Sequence, residues 1–166
     1  MADRLGRLDA MPERLTIDQT VLIDFLDESG DRHALAEELL DLAERGEIEL
    51  AVAPQGYRAE RRGDLTEQIA EAFTRKGVVE ARQVARVSEV TYLPLVLGHY
   101  VKGFPEACAG SSASHADRFH VETHLADGRD VFITDDKRLL SLCERLRGQG
   151  FPIVAMKLGD YLDQRR

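Results

Sequence analysis

Four short apolar runs, at residues 15–17, 48–53, 131–133 and 152–156, alternate with stretches in which apolar residues recur at helical spacing. Runs this short and continuous read as strands buried on both faces. Helices between them predict a mostly parallel sheet covered on both sides, a three-layer α/β/α fold. Acidic residues punctuate the pattern. Asp18 directly follows the first run, Asp135 and Asp136 follow Thr134 after the third, and Asp117 stands early in the helical stretch between them. In a parallel sheet these positions lie at strand ends or helix starts on one edge, outside the carboxyl ends of the strands, where ligands bind in such folds. Carboxylates brought together repel, and a cation relieves that cost. Oxygen ligands suit Mg²⁺ or Mn²⁺, and the simplest chemistry for such a site is metal-assisted hydrolysis of a phosphodiester.

The helical stretches have recognisable ends. Val21, Leu22, Phe25 and Leu26 share one face, and Ser29-Gly30 closes that helix. Asp31 is placed to cap the next, which turns Leu35, Leu39, Leu40 and Leu42 inward and ends near Gly46. Pro54 and Gly56 lead into a helix carrying Tyr57 and Glu60, and another is expected at about residues 65–75. Residues 77–110 are ambiguous: 90–97 are apolar, but Pro94 interrupts them, leaving a strand and a short buried helix both open. Ser114, after the loop at 110–113, can cap a helix reaching about Ala126, before Gly128. A helix at 137–147, the strand at 152–156 and a last helix at 157–164 complete the pattern.

The 166 residues suffice for one domain with a real core, and no repeat or linker divides them. With 43% hydrophobic and 31% charged residues the chain is expected to fold. No apolar stretch is long enough to span a bilayer, and the first 14 residues lack the apolar core of a secretion signal, so a cytoplasmic protein without a membrane partner is expected. Cys108 and Cys143 lack metal-site spacing and read as free thiols. The net charge of −8 speaks against a broad nonspecific nucleic-acid surface. It speaks less against a nuclease, whose acids are screened by metal and whose arginines can be local.

The segment Ile17-Asp18-Gln19-Thr20-Val21-Leu22-Ile23-Asp24-Phe25-Leu26 resembles the opening of the PIN domain family of metal-dependent nucleases. It has a strand, an acid, a small hydroxyl or amide residue two places on, and an apolar helix. The spacing from Asp117 to Thr134-Asp135-Asp136 agrees with the same family, and residues 156–162 are similar to its closing segment. Each motif alone is common; their order and spacing carry the resemblance, which covers most of the chain except about 75–114.

The resemblance implies a single PIN-like domain over residues 1–166 and a Mg²⁺- or Mn²⁺-dependent ribonuclease, similar to the toxins of type II toxin–antitoxin systems. It implies metal-holding and catalytic roles for Asp18, Glu60, Asp117 and Asp136, with Pro54-Gln55-Gly56 departing from the family pattern before Glu60. RNA is the implied substrate, and an antitoxin-like protein and a second copy of the chain are partners it allows. A noncatalytic PIN-like interaction module is the alternative. Thr20, Thr134, Asp135 and His120 are candidate supporting residues.

Each candidate also has an ordinary structural role available. Asp18 and Asp136 can cap helices, Asp117 can sit on a helix dipole, and Thr134 can serve a plain turn. Asp24 reads as a solvated or capping acid. His120 and His124 fall on one helical face with Asp117 and read first as packing or hydrogen-bonding residues, with a role behind the metals as the other option. Arg58, Arg61, Arg62, Arg118, Lys137 and Arg138 neighbour the acids and could hold phosphates, though each alone reads as solvated helix charge.

Overall fold

The computed structural model describes residues 11–53, the backbone of 79–80, and residues 101–166. Five strands form one sheet: β1 (Glu13–Ile17), β2 (Ile48–Val52), β3 (Val79–Glu80), β4 (Val131–Ile133) and β5 (Ala155–Met156). Their spatial order is β3-β2-β1-β4-β5, and every neighbouring pair is parallel. Helices α1 (Gln19–Leu26), α2 (His33–Glu44), α3 (Phe104–Ala107), α4 (His115–Asp127), α5 (Lys137–Gly148) and α6 (Leu158–Asp163) accompany it.

Side chains alternate across a strand, so the sheet sorts its residues into two cores. Leu15, Ile17, Val131 and Ile133 face one way and pack with Val21 and Leu22 of α1, Leu39 and Leu40 of α2, and Leu158 and Leu162 of α6. Phe132 faces the other way and packs with Val121 of α4, Leu139, Leu142 and Leu146 of α5, and Phe104 of α3. Sheet and helices thus make the expected three layers.

Several local expectations shift. β1 begins two residues earlier than the apolar run, and β5 is restricted to two residues of the run at 152–156. Asp31 does not cap α2: the N-cap is Arg32, with no side-chain cap hydrogen bond. The ambiguous stretch contributes the short β3 and, just before its end, α3. The helices expected near Glu60 and at 65–75, and the segment 90–97, lie outside the described residues. Ser114 does cap α4, and Gly128 closes it in the left-handed region at φ 60°, where a residue with a Cβ is strained.

The fold places its crevice. From β1 the sheet continues through β2 on one side and β4 on the other, so the chain direction of the winding reverses between β1 and β4. In open parallel sheets this switch point is where loops diverge and leave a crevice at the carboxyl edge. Asp18 immediately follows β1 and Thr134 immediately follows β4, and the Asp18 N–H donates to the Ile133 carbonyl at 3.1 Å.

Candidate active site

A cleft of about 390 Å³ opens at that switch point, lined among others by Asp18, Gln19, Asp117, His120, Asp136 and Arg138. Asp18, Asp117 and Asp136 come from three separate segments, and each is held by the start of a helix. Asp18 is the N-cap of α1 and accepts from the Thr20 N–H. Its other carboxylate oxygen accepts from the Thr134 hydroxyl. Asp18 is only 2% exposed and Thr134 wholly buried, so this pair orders the floor of the cleft.

Asp117 closes a capping box at the start of α4. Its N–H donates to Ser114 Oγ at 3.1 Å, and its carboxylate accepts from the Ser114 N–H at 2.8 Å. Asp136 is the N-cap of α5 and accepts from the Arg138 N–H at 2.7 Å, while the Arg138 guanidinium pairs with it at 3.1 Å. Burial alone would raise the Asp136 pKa, but the hydrogen bonds and charge of Arg138 outweigh it and hold the carboxyl below its usual range. The ordinary capping roles and the cleft-lining positions are therefore the same positions. Capping consumes one or two lone pairs of each carboxylate, and a carboxylate has about four.

The neighbouring acids part company. Asp135 turns away from the cleft: it accepts from Arg32 and, at 3.3 Å, from the Leu158 N–H that opens α6. Arg32 also pairs with Asp24 at 3.0 Å. Asp24 borders the cleft, and burial raises its pKa; Arg32 opposes that shift while the charges of Asp135 and Asp18 add to it. Asp24 is thus an ion-paired rim residue instead of a merely solvated acid. Arg32 had no signal in the sequence, because its two partners lie on α1 and beyond β4.

The two histidines also separate. His120 faces the cleft and is 2% exposed; burial lowers its pKa against the pull of Asp18 and Asp117, which favours a neutral ring at neutral pH. His124, one turn on, lies in the interior. Its Nδ1 is 2.9 Å from Thr16 Oγ1, and its ring meets Phe132 edge-on at 5.5 Å between centroids. Burial, helped by Arg129, lowers its pKa to about 4. Cys108 and Cys143 are buried free thiols raised by burial to about 11 and about 12, which leaves them unreactive.

Gln19 is the cleft residue that sequence reasoning passed over. It is 5% exposed, and its Oε1 has no hydrogen-bond partner among the described residues. A buried amide oxygen left in this state is costly unless a ligand completes it. Thr20 borders the same cleft, with its hydroxyl equally without a partner among the described residues. The only available signal for Gln19 was its place beside Asp18, where an outward-facing polar residue would have read the same.

The donor chemistry suits Mg²⁺ or Mn²⁺: three carboxylates and a spare amide oxygen, with no thiolate among them. Among the described residues, no three His, Cys, Asp or Glu side chains converge closely enough to hold a metal ion. Glu60, the fourth expected acid, lies outside the described residues. Among the described residues, no helix is long and apolar enough to cross a membrane. Comparison with family models, curated proteins and solved structures found no match to this chain.

Proposed function

We propose that the protein is a metal-dependent nuclease of PIN-like character that hydrolyses phosphodiester bonds, with RNA as substrate. One observation carries the reading. Asp18, Asp117 and Asp136 come from three distant segments and border one cleft at the switch point of a parallel sheet, beside a buried amide oxygen that lacks a partner. Asp18, Asp117 and Asp136 would have to draw together to hold Mg²⁺ or Mn²⁺, with the Gln19 amide oxygen beside them and Glu60 as the further acid that the family resemblance supplies. When bound, the metal supplies an activated water and charge stabilisation at phosphorus.

The chain's own residues do the rest. The Thr134 hydroxyl and the Thr20 N–H fix the Asp18 carboxylate, and the Ser114 capping box fixes Asp117. Such fixing reduces the reorganisation needed when a ligand arrives. The Arg138 guanidinium, on the rim beside Asp136, supplies positive charge for a phosphate oxygen. Neutral His120 forms a wall that adds no charge of its own.

The test is paired. Asp18→Asn keeps an N-cap that works as well as aspartate, so the fold is preserved while a negative ligand is lost. Calorimetry should find Mn²⁺ affinity lowered at least tenfold, with cleavage of single-stranded RNA abolished. Unchanged Mn²⁺ affinity would remove Asp18 from the site.

The absence of a convergent metal-holding trio among the described residues favours a second reading, a noncatalytic PIN-like module that binds nucleic acid or protein. Failure of the unaltered protein to cleave RNA across divalent metals would select it. An antitoxin-like partner or a dimer belongs to either reading, and co-purification with the product of a neighbouring gene tests the first of these.

A further inference from the structure

Beside the carboxylate cleft lies a second hollow of about 260 Å³, walled by the loop at 110–113 and by α5. Its chemistry is the reverse of the cleft's. Ser111 and Ser112 line it from the loop, and Ser141, Arg138 and Arg145 from the helix. Among the described residues it has no carboxylate lining. Arg138 belongs to both hollows, so the two adjoin.

The positive charge here is held in place. Arg145 donates to the Ala109 carbonyl at 2.6 Å, which anchors its side chain against the loop, and no carboxylate among the described residues pairs with it. A guanidinium carries five N–H donors, so this single bond leaves most of its fork available. Arg118, on α4, donates to the Ser111 carbonyl at 3.4 Å. Ser111 Oγ is buried with no hydrogen-bond partner among the described residues. A fixed guanidinium, a spare hydroxyl and a second arginine around one hollow match a tetrahedral oxyanion. In a chain of net charge −8, Arg145 thus brings positive charge, with no counter-charge among the described residues, to the edge of the carboxylate cleft.

We propose that this hollow seats a backbone phosphate of a single-stranded nucleic acid, one adjoining the phosphodiester held in the carboxylate cleft. This rests on the hydrolytic reading of the cleft and deepens it. Arg145 and the Ser111 and Ser141 hydroxyls grip the neighbouring phosphate, and Arg138 stands between the two. Contacts of this kind set the register of the strand without reading its bases.

The experiment measures binding without catalysis. The full-length protein in EDTA at low salt is titrated into a fluorescein-labelled, short single-stranded RNA, and anisotropy is followed as salt is raised. Arg145→Ala should weaken binding about three- to tenfold and reduce the slope of log affinity against log salt by about 0.7, the loss of one phosphate contact on a single strand. Arg145→Lys should keep the slope, since the charge stays. Arg166→Ala removes the same charge from a residue paired with Glu38 and Asp163, and should change neither affinity nor slope. If Arg145→Ala fails to fold by its melting temperature, Ser141→Glu serves instead, because it places a negative charge in the hollow from an exposed position.

Absence of RNA binding by the unaltered protein would overturn the proposal. So would an affinity and slope unmoved by Arg145→Ala or by its substitute Ser141→Glu, or an equal loss in Arg166→Ala. Cleavage with Mn²⁺ is scored separately. Arg145-dependent binding without any cleavage keeps the hollow and removes the hydrolytic reading. Cleavage with Arg145-independent binding does the opposite.

Discussion

The Thr134 hydroxyl donates to the Asp18 carboxylate across 116 positions of sequence, and the same oxygen accepts from the Asp136 N–H at 3.1 Å. One buried hydroxyl therefore ties two of the cleft's acids, Asp18 and Asp136, to the end of β4. Thr134→Val keeps the shape and removes both bonds. It leaves a buried carboxylate short of a donor, so a loss of about 1.5–3 kcal/mol is expected, read by urea denaturation. A change below about 0.5 kcal/mol would mean that the hydroxyl does not hold Asp18.

Asp135 and Asp136 should fail in different ways. Asp136→Asn retains a good helix cap, so the melting temperature should move little while Mn²⁺ affinity falls at least tenfold. Asp135→Asn loosens the link to Arg32 and the start of α6. Because that pair is partly exposed, the cost should be no more than about 1 kcal/mol, with RNA cleavage within about twofold of the unaltered protein. The opposite pattern in side-by-side melting and cleavage assays would place the functional carboxylate one residue earlier.

His124 makes the fold sensitive to mild acid. Its pKa falls from 6.5 to about 4 on folding, so between those values the unfolded chain binds the extra proton. Stability therefore declines as pH drops from about 6.5 to 4, by roughly 3 kcal/mol in full. The burial of His120 acts in the same direction. His124→Gln should flatten the slope of unfolding free energy against pH in this window. An unchanged slope would assign the acid sensitivity to other groups.

Gly128 ends α4 at φ 60°, with open space where a Cβ would stand. Gly128→Ala therefore meets backbone strain without a clash, and should lower stability by about 1 kcal/mol, measurable by thermal melting.

The layered architecture was legible because strands buried on both faces leave continuous apolar runs, as at residues 131–133, and because helix ends have local chemistry, as at Ser114 and Gly128. Asp31 misled because a good capping residue stands one place too early, and α2 begins without a side-chain cap. Arg32 could not be found from local pattern, since its value comes from Asp24 and Asp135, which the fold brings together. The short β3 was hidden because two residues give no periodicity to read. For Asp18, Asp117 and Asp136, capping and cleft-lining use the same helix-start positions, so residue type alone could not separate the two roles.

β1 sits at the centre of the sheet, yet one of its two neighbours, β4, arrives more than a hundred residues later. Closing so long a loop is slow, and its entropy must be met before any contact is gained. During synthesis, Asp18 emerges more than a hundred residues ahead of Thr134 and waits with one flank of its strand bare until β4 leaves the ribosome. A nascent chain stopped before Thr134 would carry the first acid but neither the hydroxyl that aims it nor Asp136. The cleft is thus withheld until β4 and the start of α5 have been made, and products of translation that stop short of them would lack it.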